Sequence, residues 1–372
     1  MKIQISKNSL LSKLRVLSKI VKPNNVNVAY GSFLFTVENE QVIKITGSDE
    51  TGQVSTRIYC TATDVNTKPF MVEASKLMAG LKDIPEQPIT IEVEMDTEKI
   101  RVLYSNRGKF ELALLDATLY PTMKEIDGAY VNIYNSTLKK GFDSVIRFTA
   151  KDELRPLMAG VNMSYEDNTL TFAGTNANVL SMYEAEHPEM PQLELNIPAK
   201  YAKLISDVMP DDGISQFTYD DRRAEFKSDD YVVSYRLLEG KYPNFRAVIP
   251  QSPIADAKLK CSDLASAVNR VSIFASNVSS LIAVDANGDE LTLTSEDIDY
   301  NQNAQEIVKA EYVTRAFKIG FNGLFMADIL KVIEAHDENV VLKYSAENKA
   351  AIFTPAKMSP KEDLTIILMP LM

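Results

Sequence analysis

The sequence predicts an α+β chain of three repeated units, each made of two amphipathic helices and antiparallel hairpins. A helical face written first as Leu77, Leu81 and Ile84 returns as Tyr201, Ile205 and Val208, and again as Phe325, Ile329 and Val332. The copies lie 124 residues apart, a spacing that divides the 372 residues into three. A second face, Leu10, Leu14 and Leu17, recurs as Leu138, Phe142 and Val145 and as Leu264, Val268 and Val271. Between the helices, apolar and polar residues alternate around turns in 89–104, 215–228 and 339–354, the period of β-hairpins.

Taken in order, the first unit is 1–127. Its first helix, 9–21, stops at Pro23, Asn24 and Asn25, and strands at 33–37 and 42–46 follow. The run 54–62, the repeated helix 74–85, a hairpin and a strand at 110–115 complete it, and 126–128 reads as a linker. The second unit, 128–250, opens with a strand and a helix at 136–148, then two strands in 154–186 around the turn Glu166, Asp167, Asn168. Pro250 and Pro253 mark its end. The third unit, 251–372, repeats the plan. Its Asn287-Gly288 pair reads as a two-residue hairpin turn with φ > 0 at both positions, and its last strand is 364–368.

Hydrophobic residues make up 45% of the chain, enough for sizeable cores, and no stretch approaches a membrane span of ~20 apolar residues. Cys60 and Cys261 are too few for a disulfide framework and read as small buried hydrophobes. A soluble, reducing, cytoplasmic setting is expected. There is no phosphate-binding glycine loop, and His187 and His336 stand apart as surface histidines, so no cofactor, metal centre or catalytic residue is expected. The segment 285–290 superficially suggests a calcium loop, but its glycine is in the fourth place and the hairpin reading is preferred. The remaining acidic doublets fall beside turns, where solvated Asp is usual, which leaves a carboxylate hydrolase as the weakest reading.

Net charge is −11, an argument against a nucleic-acid partner, yet its distribution argues the other way. From Lys7 to Lys22 the chain carries Lys7, Lys13, Arg15, Lys19 and Lys22 with no Asp or Glu. Basic residues recur on helices in all three units, including Arg147, Lys260, Arg270 and Lys331. The acid collects in turns such as Asp211, Asp212, Asp220, Asp221, Asp229, Asp230, Glu296, Asp297 and Asp299. The two signs are expected on different surfaces. Lysine and arginine without interleaved aromatics suit phosphates, whose contacts are sequence-independent.

The three equal repeats, EGKYPNFRAVIP (239–250), RPLMAGV (155–161) and a Met-Pro tail resemble, in order and spacing over the full length, the bacterial DNA polymerase III beta subunits, the sliding clamps. The resemblance implies clamp domains in a head-to-tail homodimer closed into a ring, helices lining the hole and sheets forming the rim. It implies a non-catalytic, nucleoid-associated processivity factor that slides on double-stranded DNA. Partners would be the polymerase III catalytic subunit, the clamp loader, other polymerases, and mismatch-repair and ligase proteins, bound through short linear motifs. The other reading is a repeat-built peptide-binding scaffold that does not encircle DNA.

Under the resemblance, Lys13, Arg15, Lys19, Lys22, Lys76 and Lys82 of the first unit face DNA, with Lys139, Lys140, Lys151, Lys200 and Lys203 of the second. The partner-peptide cleft takes one wall from Met158, Thr175, Ala177, Val179 and Leu180 and the next from Pro243, Arg246 and Val248. The third unit adds Ala350, Ile367, Met369, Pro370 and Leu371, although domain packing is a rival role for the tail. At the ring interface Phe110 and Leu112 meet Ile273 and Phe274, with core burial the rival reading for Leu112. Three departures stand out. Asn176-Ala177-Asn178-Val179-Leu180 replaces a common Asp-Gly-His-Arg-Leu, and the tail stops at Met372. An arginine that relatives turn to DNA is absent near Asn24, where Lys22 can substitute.

Overall fold

The computed structural model describes residues 1–372 except Asn24, Asn106, Asp152, Glu153 and Met372, so the expectations at Asn24 and Met372 lie outside the described residues. The first repeat runs β1 (Lys2–Ser6), α1 (Lys7–Leu17), β2 (Ser32–Val37), β3 (Val42–Ser48), β4 (Gly52–Tyr59), β5 (Thr61–Thr63), β6 (Phe70–Glu73), α2 (Ala74–Lys82), β7 (Pro88–Glu94), β8 (Lys99–Tyr104) and β9 (Gly108–Ala113). The second runs β10 (Ala129–Tyr134), α3 (Asn135–Val145), β11 (Gly160–Glu166), β12 (Thr169–Thr175), β13 (Val179–Glu186), β14 (Leu193–Pro198), α4 (Ala199–Val208), β15 (Ile214–Tyr219), β16 (Arg223–Lys227) and β17 (Tyr231–Arg236). The third runs β18 (Ala255–Lys260), α5 (Cys261–Ser272), β19 (Leu281–Asn287), β20 (Glu290–Asp297), β21 (Gln302–Lys309), β22 (Tyr312–Val313), β23 (Phe317–Asn322), α6 (Gly323–Glu334), β24 (Asn339–Tyr344), β25 (Ala351–Pro355) and β26 (Glu362–Leu368).

All six expected helices form, and the apolar face read from the sequence is buried in each except for Phe325, which is half-buried. The first begins two residues early because Ser6 Oγ accepts from Ser9 N–H at 3.2 Å, a helix N-cap. It ends at Leu17, where the N–H groups of Lys19 and Ile20 turn to Val16 and Leu17 in tighter i, i+3 bonds. Residues 154–186 hold three strands where two were expected, because a second turn at Asn176–Asn178 folds β13 back on β12. The hairpin between β19 and β20 is one residue out of the expected register. Asn287 pairs with Glu290, so Gly288 and Asp289 are central and glycine alone has positive φ, +65°. Glycine in the first central position satisfies such a turn without a second left-handed residue.

Strand pairing crosses the repeats. Antiparallel β17 joins β4 to make an eight-stranded sheet, β10-β15-β16-β17-β4-β3-β2-β6. In the same way β26 joins β13 in a nine-stranded sheet, β14-β11-β12-β13-β26-β25-β24-β18-β22. The two sheets share one order over eight strands, a later repeat's hairpins added to an earlier repeat's meander. Consequently the chain packs as two compact units, Met1–Ser136 with Leu204–Leu237 and Thr137–Lys203 with Leu238–Met372. Left over are a five-stranded sheet ending in β9 within the first unit and a four-stranded sheet ending in β21 within the second.

His187 is buried and His336 half-buried, where both were expected on the surface. His187 is enclosed, its Nδ1 3.0 Å from Pro188 O, and His336 Nε2 lies 2.9 Å from Ser144 Oγ beside the Tyr183 ring. Burial, with the Lys140 ammonium nearby, lowers the His336 pKa and favours the neutral ring. Cys261 is buried and its thiol is pushed up to about 12, whereas Cys60 is half-buried. Asp297 is also buried: its carboxylate accepts from the N–H groups of Asp299 and Tyr300, closing the turn from inside. No helix of the described residues is long and apolar enough to cross a membrane.

Candidate functional site

A row of apolar residues crosses three neighbouring strands of the nine-stranded sheet. Leu180 on β13 pairs with Ile367 on β26, which pairs with Ile352 on β25, so the three share one sheet face. With Ala350 they form a buried apolar cluster, and Phe245 and Ile249 pack on it half-buried. The latter two belong to the connection 238–250. Tyr242 anchors this segment by donating from its hydroxyl to Gly160 O at 3.3 Å, and Asn196 Nδ2 holds Gly240 O at 2.9 Å. Arg246 donates to Glu184 Oε1 at 2.6 Å and Thr171 Oγ1 at 3.3 Å, with its guanidinium 5.6 Å from the Phe245 ring. Arginine thus fastens the connection beside the apolar row.

Of the expected cleft residues, the structure gathers Leu180, Ala350 and Ile367 in the cluster, with Thr175 paired to Leu180 on the same face. Met158 and Pro243 are half-buried and Val248 is exposed. Val179 is the exception. It is one residue from Leu180, pairs with Leu368 and points to the opposite face, because side chains alternate along a strand. Ile352, Phe245 and Ile249 were missed from the sequence. Ile352 was legible in principle, two residues after Ala350 in an alternating strand.

Two backbone hydrogen bonds hold the tail. Met369 N–H donates to Asn178 O at 2.8 Å, and Leu371 N–H to Gly320 O at 2.9 Å. The turn beside it is tightly bonded: Thr175 Oγ1 bridges Ala177 N–H and Val179 O, and Asn176 Oδ1 accepts from the N–H groups of Asn178 and Val179. Ala177 sits in it at φ +75°, a left-handed conformation that costs an L-residue about 1–2 kcal/mol. Glycine would relieve that strain but loses about 0.4–1 kcal/mol by loosening the unfolded chain. Ala177→Gly is therefore expected to stabilise by roughly 0.5–1 kcal/mol, seen as a higher urea midpoint. A lower midpoint would show that the turn is not strained there.

The repeated architecture supplies an internal control. Counting strand by strand from the one that leads into each repeat's second helix, Leu180 corresponds to Gln53 in the first repeat and Asn303 in the third. In the eight-stranded sheet the matching row is Gln53, Ser234 and Glu225, with Ser234 Oγ donating to Glu225 at 2.6 Å. A polar groove of about 690 Å³ opens there, with Lys44 and Lys227 in its lining. Two sheets of one order thus carry rows of opposite character at the same place, polar in the eight-stranded sheet and apolar in the nine-stranded one.

The basic helices divide into two groups. Lys13 meets Asp230 at 2.9 Å and lies over the Tyr231 ring, Lys19 meets Asp207 at 2.7 Å, and Lys76 meets Glu73 at 2.7 Å. Lys140 is paired with Glu362 at 2.7 Å, and Arg147 with Asp328. Arg15, Lys22, Lys82 and Lys151 are exposed with no acidic partner among the described residues. Lys139, Lys200 and Lys203 have interactions of their own, Lys200 over the Tyr201 ring. The expected separation of the two signs is therefore incomplete, since Asp207 and Asp230 lie against α1 or its following turn. An ion pair lets a basic helix coexist with a nearby acidic turn.

The four residues expected at an interface lie at open ends of the leftover sheets or beside them. Phe110 and Leu112 are half-buried on edge strand β9, with the Phe110 ring against Gly80 of α2. Their counterparts in the other repeats, Val233 with Tyr235 and Ile366 with Leu368, are completely buried. Ile273 is 72% exposed and Phe274 39% at the end of α5, while the counterparts of Phe274, Ile20 and Phe148, are buried. Among the described residues no cluster of three or more His, Cys, Asp or Glu side chains could hold a metal.

Comparison with known proteins agrees along the chain. Models of the DNA polymerase III beta subunit match in three parts: the N-terminal domain over residues 1–124, the central domain over 132–244 and the C-terminal domain over 246–372. The beta sliding clamp of Bacillus subtilis is 24% identical over 355 residues, covering 91% of this chain and 92% of that protein. That of Pseudomonas aeruginosa is 23% identical with both chains fully covered. Crystal structures of the subunit from Pseudomonas aeruginosa and Thermotoga maritima share the fold, with TM-scores of 0.90 and 0.89, identities of 23% and 20%, and coverage of 100% of this chain and 99% of theirs. With all three domain models matched in order, this chain belongs to the DNA polymerase III beta subunit family, the beta sliding clamps.

Proposed function

We propose that this non-catalytic sliding clamp closes as a head-to-tail dimer through β9 of one protomer and β21 of its partner, and that its repeats 1–127, 128–250 and 251–372 are the ring's domains. One observation carries the closure. The leftover sheets are the two halves of the order seen twice already, and joining β9 to β21 recreates it a third time. The register of the other two junctions sets Glu111 opposite the partner's Asn303 and Phe110 opposite the partner's Ala304. Small-angle scattering with an absolute-intensity mass tests it: twice 41.5 kDa with a hollow pair-distance distribution is expected. A compact monomer at every concentration would remove encirclement and leave the peptide scaffold.

For the duplex, Arg15, Lys22, Lys82 and Lys151 supply phosphate contacts, and the ion-paired Lys13, Lys19, Lys76 and Lys140 contribute less because each must leave a carboxylate. Lys139, Lys200 and Lys203 belong to the same reading. Weak, base-independent contacts suit sliding, which a tighter grip would stall. Each phosphate contact adds about 0.9 to the salt slope of binding. Replacing Arg15, Lys22 and Lys82 together by alanine is expected to flatten that slope by about 2–3, while Lys13→Ala changes it little. Equal effects of the two variants in a duplex titration would reject this division. The apolar row, with Met369, Pro370 and Leu371 at its border, takes short linear motifs from the polymerase catalytic subunit, clamp loader, other polymerases and repair proteins on the nucleoid.

A further inference from the structure

The strand that opens each repeat lies at or next to one end of its sheet, and its outer edge is treated differently in the three cases. In the first repeat β5 covers β1, pairing with Lys2, Ile3 and Gln4. In the third, β22 covers β18, with Glu311 N–H donating to Lys258 O at 2.8 Å and Thr314 N–H to Asp256 O at 2.9 Å. In the second, β10 ends the eight-stranded sheet and no described strand lies beyond it. The covering segment is missing for a chemical reason. The position of Thr61 and Glu311 is taken by Pro188, which has no N–H to give, and its carbonyl accepts from Tyr165 OH at 3.2 Å instead.

The direction of the free groups follows from the ladder. Asn135 N–H donates to Gly213 O in line with the β10–β15 pairing, so residues 129, 131 and 133 turn their backbone groups to β15. Tyr130 and Asn132 turn theirs to the open edge, as their counterparts Asp256 and Lys258 do toward β22. An open edge is usually defended by charge, proline or a bulge. The outward side chains of β1 include Lys2, and those of β18 are Asp256, Lys258 and Lys260, whereas AYVNIY of β10 has neither charge nor proline. Tyr130 is 59% exposed and Tyr134 45%, with Ile214 exposed beside Tyr134 on β15.

We propose that β10 is a docking edge for an extended, uncharged segment of another protein, added antiparallel as β5 and β22 are, and flanked by lysine or arginine. Charge selects this occupant. Asp127 and Asp221 are exposed near one end of β10, with Arg222 beside them and Asp220 held by Arg223, while Asp212 is exposed near the other end. A second copy would bring acid against acid, whereas basic flanks meet carboxylates at both ends. Main-chain bonds to Tyr130 and Asn132 give affinity, and the exposed Tyr130 ring covers the added strand's side chains.

The test uses the full-length protein and a fluorescent peptide, Lys-Lys-Thr-Val-Thr-Val-Thr-Lys-Lys, followed by anisotropy and by amide exchange of β10. Binding is expected with slowed exchange at Tyr130 and Asn132. Asn132→Lys, which copies the defended edge of the third repeat, is expected to weaken it at least tenfold. Asn132→Pro removes an N–H that its own sheet does not use and should do the same, with unchanged circular dichroism. Four results would overturn the proposal: no binding at ~1 mM peptide, unchanged affinity in both variants, equal binding of a peptide with glutamate flanks, or loss of binding on Leu180→Ala instead. Self-association of the rings that Asn132→Lys abolishes would also overturn it, by making a second copy the occupant.

Discussion

Replacing Ile273 and Phe274 together by aspartate leaves a folded monomer of 41.5 kDa at concentrations where the parent protein is a dimer. The two side chains are exposed in the protomer, so the substitutions remove nothing from its core. In the other repeats the position of Phe274 is buried, and that of Ile273 carries Lys19 or Arg147, each held by an ion pair. In the third repeat an apolar residue replaces the charge, which suits contact with the Phe110 and Gly80 region of a partner. Burying an isoleucine or phenylalanine is worth about 1.5–3 kcal/mol each, and a buried unpaired aspartate adds a further cost. A loss of about 4 kcal/mol or more per junction, at two junctions, separates the ring at micromolar protein. Sedimentation gives the mass directly. A variant still dimeric at nanomolar concentration would place the interface elsewhere.

The second large effect is expected in the apolar row. Leu180→Ala combined with Ile367→Ala removes two paired side chains on neighbouring strands and leaves the backbone ladder in place. Large-to-small changes in packed sites cost about 2–5 kcal/mol each, so the protein should lose stability as well as peptide affinity. The two losses are separable. Phe245→Ala, on the connection that lies over the row, should reduce affinity for a partner's motif about tenfold with a smaller change in melting temperature, since Phe245 is only half-buried. The matching change in the polar row, Gln53→Ala, should leave the affinity alone. If Gln53→Ala weakened the peptide as much as the Leu180 pair, the apolar row would not be the cleft.

Period and spacing made the helices legible, because a face that must be buried repeats every three or four residues whatever it packs on. Leu77, Tyr201 and Phe325 mark one face in three copies, and all three helices form where that face predicts them. The resemblance, resting on segments such as EGKYPNFRAVIP, gave the family. Side-chain pairing was not legible. Lys13 and Asp230 are 217 residues apart, as are Lys19 and Asp207 at 188, and no local pattern announces an ion pair between them. The burial of His187 and the partial burial of His336 were missed for the same reason, since burial depends on neighbours from distant segments such as Ser144 against His336.

Sequence by itself determined the threefold plan, the place of each helix and the family, because these rest on local periodicity and contiguous motifs. Tertiary structure decided the rest. Which lysines are neutralised, that Val179 turns away from Leu180, that Ile352 and Phe245 complete the apolar row, and that among the described residues no strand covers β10 as β5 and β22 cover β1 and β18, all depend on strand register. Register is a relation between segments far apart in the chain, set by burying one sheet face against helices, and a shift of one residue exchanges the two faces.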